Sequence, residues 1–251
     1  MLRSLKLFSV FALLPWTIFA SGPEMAPAHS VSADVDSPRS PAIVIGFVGG
    51  FVRHNNPVHT EVQLAARLRK EYPSGVYVEV FQNHDGSSAY KKILQLLDTE
   101  YAGKPTLEEK QKARIILYGH SWGASEAISL ARRLEADGIP VLLTVQIDSV
   151  TKLGEDDGII PSNVAQAANF YQPDGRPHGR AEIRAADPSR TRIIGNFRFD
   201  YEAHPVACFG DYSWWDRYLS KPHTEIECDP QVWNHVESLI RADLPPPVQS
   251  P

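Results

Sequence analysis

The chain has 251 residues, 43% of them hydrophobic and 22% charged, with 25 Lys+Arg against 30 Asp+Glu for a formal charge of -5. That composition fits a packed domain and excludes disordered and fibrous classes. With no basic stripe to neutralise a row of phosphates, nucleic acid is not an expected partner.

Taken in chain order, the opening residues differ from the rest. Arg3 and Lys6 give a positive start, Leu7–Ala20 is almost wholly apolar, and Ala20-Ser21-Gly22 supplies the small residues of a cleavage site. Residues 1–20 are therefore read as a signal peptide; the apolar run is shorter than the roughly 20 residues of a membrane-spanning helix, so no stable span is expected after cleavage. Residues 21–41, rich in Pro, Ser and Ala, read as a flexible leader, and the folded domain as 42–251. Export to a secreted or periplasmic location makes a Cys208–Cys228 disulfide the expected state of the two cysteines, against the alternative of two buried thiols.

Ala42–Val48 is an unbroken apolar run ending in Gly49-Gly50, the pattern of a strand buried on both faces. A helix is expected over Val58–Glu71, a strand over Gly75–Gln82, a helix over Ser88–Ala102 and a short capped helix within Pro105–Gln111, where Thr106 and Glu109 fit a capping box. Arg114–Tyr118 and Val141–Ile147 read as strands flanking a helix over Ala124–Glu135. Short strands follow near Ala167–Tyr171 and Thr191–Phe197, then a helix over Pro230–Ala242. Recurring βαβ units predict an α/β fold with a mostly parallel sheet and helices on both faces.

Gly119-His120-Ser121-Trp122-Gly123 is the most informative segment. It fits G-x-S-x-G and sits between an apolar strand and an amphipathic helix, the setting of a nucleophile elbow. Ser121 is the candidate nucleophile, and the Trp122 N–H at the helix start is aimed where an oxyanion would develop. The alternative is a tight strand-to-helix turn in which Ser121 is merely small enough. The stretch YGHSWGASEAISLARRLEADGIPVLLTVQIDS, Tyr118 to Ser149, resembles the α/β-hydrolase fold, and most of all the thioesterase domains of polyketide and nonribosomal peptide synthetases. The resemblance implies that Asp148, at the end of the following strand, is the catalytic acid. Ala124 departs from the glycine usual there, and a signal peptide departs from the cytoplasmic setting of those domains.

A serine hydroxyl needs a histidine to take its proton and a carboxylate to orient that histidine. In this fold the order is Ser, acid, His, so His29, His54, His59 and His84 come too early, and His120 is expected to face away. Of His178, His204, His223 and His235, the base assigned is His223, expected in a loop before the final helix; the run after it resembles the H-x-x-I-x-x-D-P-x-V segment of many relatives. Asp200 and then Asp174 are the alternative acids, and a cap is the structural alternative for Asp148. Gly50 or Phe51 is the expected second oxyanion donor, with a plain turn as the alternative.

Three functions follow: hydrolysis of an acyl ester or thioester through an acyl-enzyme; a non-catalytic ligand-binding protein of the same fold; or a metallohydrolase using His54, His84 and Asp85, for which the ligand spacing is poor. Trp214, Trp215, Phe209 and Tyr212 are candidates to line an apolar acyl pocket or to be core. Export favours a small acyl ester or lipid-like substrate. No cofactor or metal is implied, and the oligomeric state is not readable.

Overall fold

The computed structural model describes residues 41–209, 212 and 220–247, all within one contact unit spanning Pro38–Pro251. Residues 1–20, read above as a signal peptide, and nearly all of 21–41, read as a leader, lie outside the described residues. Six strands form one sheet: β1 (Ala42–Val48), β2 (Val76–Gln82), β3 (Ile115–His120), β4 (Val141–Ile147), β6 (Val164–Tyr171) and β8 (Arg192–Arg198). Their order is β2-β1-β3-β4-β6-β8, and every pairing is parallel. β5 (Ile159–Ile160) and β7 (Arg184–Ala185) make a separate two-stranded parallel pair that periodicity had not revealed.

Alternation along the strands builds two cores. Val44, Ile116, Tyr118, Val145 and Phe170 face one side, where they meet Leu64 and Leu68 of α1 (Thr60–Glu71) and Val232, Trp233 and Val236 of the C-terminal helix α6 (Pro230–Ala242). Ile43, Ile45, Phe47, Ile115 and Leu117 face the other side, against Ile93 of α2 (Gly86–Leu97) and Ala127, Ile128 and Leu134 of α4 (Trp122–Ala136). Because side chains alternate with period two, a central strand covered on both faces has to be apolar at every position. The expected α/β architecture, a parallel sheet with helices on both faces, is the one observed.

Boundaries differ from expectation where polar side chains intervene. α2 ends at Leu97, not Ala102, because the Asp98 carboxylate accepts the Ala102 and Gly103 N–H groups, each at 2.8 Å, and turns the chain away from the helix. α3 (Leu107–Gln111) carries the expected capping box between Thr106 and Glu109. The largest difference is α5 (Lys221–Cys228), a helix where a loop was expected. Pro222 in its first turn suits a helix start, and eight residues are too few to display a periodic stripe.

Parallel order places the carboxyl ends of β1, β3 and β4 side by side, so that the segments beginning at Gly49, Ser121 and Asp148 share one rim. Trp233, 2% exposed and edge-on to Tyr118 at 6.4 Å, anchors α6 to the centre of this sheet. Trp233→Ala is expected to lower unfolding free energy by about 3–5 kcal/mol, read by urea denaturation.

Candidate active site

Ser121 occupies the single residue between β3 and α4 with φ 56° and ψ -127°, a left-handed backbone that a non-glycine residue adopts only under constraint. Its neighbours supply that constraint. A Cβ on Gly119 would lie 2.5 Å from the Gly123 carbonyl carbon, and one on Gly123 would lie 2.3 Å from the Phe47 carbonyl oxygen. Glycine at both positions lets the helix start press against the sheet. The Ser121 N–H donates to the Ile147 carbonyl at 2.9 Å, tying the turn to β4. Trp122 is the first residue of α4, where N–H groups have no intrahelical acceptor.

Asp148 follows β4 with φ 42° and no solvent exposure. Its N–H donates to the Phe170 carbonyl at 2.7 Å. The carboxylate accepts from the Gly179 N–H at 2.6 Å, the Gln172 N–H at 3.2 Å and the Gln172 side-chain amide at 2.9 Å. It also faces His223 Nδ1 at 2.6 Å. With Nδ1–H donating to Asp148, the tautomer of His223 leaves Nε2 as an acceptor. The alternative acids are engaged elsewhere: Asp200 accepts from the Ala203 N–H and from Arg198, and Asp174 from the Tyr201 N–H. His235 packs edge-on against the stacked Phe170 and Phe197 rings, as its helical position implied.

A cavity of about 910 Å³ opens over this rim, lined by Ser121 and His223 together with Gly50, Phe51, Trp122 and Tyr212. A Cβ on Gly49 would stand 3.0 Å from the Ser121 Cβ, so the loop after β1 lies directly against the serine. In that loop Gly50 has φ +42°, and its carbonyl accepts from the Asn83 side chain. Phe51 is almost wholly exposed and meets Trp122 edge-on at 5.6 Å.

Several expectations are corrected. His223 stands on α5, not in a loop. His120 does not face away: it is buried, lines the cavity and lies against the His223 ring with centroids 4.4 Å apart. Burial, then the nearby His223 and His59, hold its pKa well below the usual histidine value, so it stays neutral. Phe209 is exposed at the surface and does not line the cavity, whereas Tyr212 does. Trp214 and Trp215 lie outside the described residues. Cys208 and Cys228 are joined in a disulfide, which removes the free-thiol alternative and ties the segment after β8 to the last turn of α5. His54 and His84 are exposed; among the described residues the side chains that converge with metal-donor spacing are His59, Glu61 and Glu227.

That cluster went unread in the sequence. His59 and Glu61 open α1, and Glu227 lies one turn beyond His223, a relation visible only once α5 is known to be helical. His59 Nδ1 lies 2.5 Å from Glu227 Oε1. Burial, reinforced by the charge of Glu227, pushes the Glu61 pKa up to about 8.

No protein-family profile matches the chain, and no curated protein matches it. Solved structures of distant likeness include a thermostable esterase from Pseudomonas putida, 12% identical over 83% of this chain and 74% of its own, with a TM-score of 0.42. The NocB thioesterase domain, in covalent complex with a fluorophosphonate nocardicin G analog, is 14% identical over 82% of this chain and 95% of its own, at 0.39. Human thioesterase 2 is 10% identical over 80% and 94%, at 0.37. At these scores the roles of individual residues follow from local geometry alone.

A Cβ on Gly179 would fall 2.3 Å from Asp148 Oδ1. Gly179→Ala is therefore expected to displace the carboxylate and to destabilise the fold by about 1–3 kcal/mol, measured by chemical denaturation.

Proposed function

We propose that the protein is a serine hydrolase cleaving acyl esters or thioesters through Ser121, His223 and Asp148. The observation that carries this reading is the 2.6 Å contact between His223 Nδ1 and the buried Asp148 carboxylate, in a cavity that Ser121 also lines from a strained strand-to-helix turn.

In this reading Ser121 Oγ attacks the substrate carbonyl while His223 Nε2 takes its proton. Asp148 keeps Nδ1–H of the imidazole oriented and balances the imidazolium that forms. The alkoxide developing on the carbonyl oxygen is met by the Trp122 N–H and by that of Gly50 or Phe51, since backbone donors at a helix start stabilise an oxyanion without reorganising. His223 then protonates the leaving alcohol or thiol, and water repeats the sequence to release the acid. Phe51, Trp122, Val150 and Tyr212 give the cavity apolar walls, which favours a small acyl ester or lipid-like substrate. The Cys208–Cys228 disulfide and the sequence of residues 1–20 support export to an oxidising compartment.

A fluorophosphonate probe is expected to label the native protein at Ser121 and to leave Ser121→Ala unlabelled. On a series of p-nitrophenyl esters of rising chain length, Ser121→Ala and His223→Ala are each expected to lose at least about 10³-fold in kcat/KM. An intact protein that is neither labelled nor able to turn over any ester would instead be a binding protein built on a hydrolase fold.

A further inference from the structure

The chemistry proposed above makes no use of a group of ionisable side chains buried beside it. Glu61 has no solvent exposure, and neither of its carboxylate oxygens has a hydrogen-bond partner among the described residues. A buried carboxyl group without hydrogen-bond partners is unfavourable whether it is ionised or protonated. Its surroundings are donors of metal-binding type: atoms of His59, Glu61 and Glu227 all lie within 4.8 Å of one another. His120 Nδ1 lies 3.8 Å from Glu61 Oε1 and 3.8 Å from Glu227 Oε2.

We propose that His59, Glu61 and Glu227, with His120 as a fourth donor, form a binding site for one zinc-class divalent cation. Imidazole nitrogens with carboxylate oxygens suit zinc more than the all-oxygen shells of calcium or magnesium. Tetrahedral bonds of about 2.0–2.1 Å hold donors about 3.4 Å apart, so on binding the 3.8 Å separations close by a few tenths of an ångström, the 2.5 Å contact between His59 Nδ1 and Glu227 Oε1 opens by about 0.9 Å, and the spacings within the triad, up to 4.8 Å, close by as much as about 1.4 Å. The cation satisfies the buried Glu61 oxygens and displaces the proton that Glu61 otherwise holds. It takes the place of the proton between His59 Nδ1 and Glu227 Oε1. His59, His120 and Glu227 line the cavity, which gives the ion a way in from solvent. Both cysteines are in the disulfide, so no thiolate competes for it.

The ligands come from three separate places in the chain. His59 and Glu61 belong to the start of α1, His120 immediately precedes Ser121, and Glu227 follows His223 by one helical turn. One ion therefore cross-links the segments that carry the serine and the histidine. The inference stands apart from the hydrolase reading, because its test reads metal and not turnover.

Untagged protein purified without chelator is analysed for metal content by mass spectrometry, then demetallated and titrated with ZnCl2, CaCl2 and MgCl2 against a chromophoric chelator. About one zinc per chain is expected, with saturable zinc binding far stronger than that of calcium or magnesium. Glu61→Gln and His59→Gln are each expected to weaken zinc binding by at least about tenfold, with folding checked by circular dichroism, while the exposed His54→Ala binds as the native protein does. Native protein that neither retains nor binds one equivalent of zinc overturns the proposal. A preference for calcium, or folded variants that bind zinc unchanged, overturns it equally. If the variants fail to fold, the native titration alone decides.

Discussion

The left-handed backbone of Ser121 is the constraint around which the rest of the rim is organised. A residue at φ 56° persists only where its neighbours over-determine it, and here the determinants are Gly119, Gly123 and the hydrogen bond to Ile147. Asp148 repeats the device one strand further along: it too has positive φ, and its N–H is held by Phe170 of β6. Each turn is thus pinned by the strand beside it. The parallel register transmits that pinning across the sheet, and the separation of Ser121 and Asp148 is set by backbone, not by flexible side chains.

His223 reaches the same rim by a different route. It comes from a short helix, which isolated would be marginal, and several tethers hold it. Cys228 bonds to Cys208, the Glu225 carboxylate accepts the Val206 N–H, and Glu227 meets His59. Asp229, between α5 and α6, caps the latter through the Gln231 N–H and accepts from Tyr201. The candidate base is therefore fixed by covalent, hydrogen-bonded and electrostatic links to three other parts of the domain. The buried His120 ring, 4.4 Å from that of His223, packs against it from the elbow side.

Much of the fold was legible because its physics is local. Ala42–Val48 and Val141–Ile147 are apolar at nearly every position, a pattern that a strand covered on both faces requires, and both were delimited to the residue. Ser121 stood out because glycine on either side of a serine, between a strand and a helix, has few other uses. The illegible parts depend on contacts distant in sequence. The helical state of α5 comes from tethering, not from periodicity, and without it Glu227 could not be placed next to His59. The β5–β7 pair is two residues long and leaves no pattern. His120 reads as a spacer within its motif, and only the packing of α5 over the rim gives its ring a neighbour.

The sheet has one further property, at its margin. Among the described residues β8 has no outer partner, which leaves a row of backbone donors and acceptors able to recruit a strand from another molecule. Its sequence, RIIGNFR, opposes that recruitment: exposed charged side chains stand at both ends, Arg192 at one and Arg198, paired with Asp200, at the other. The register shift between Ala167 and Ala168 spoils the straight ladder that a docking strand would have to match. Resistance to intermolecular sheet growth is thus written into the last strand, and it owes nothing to the residues at the rim.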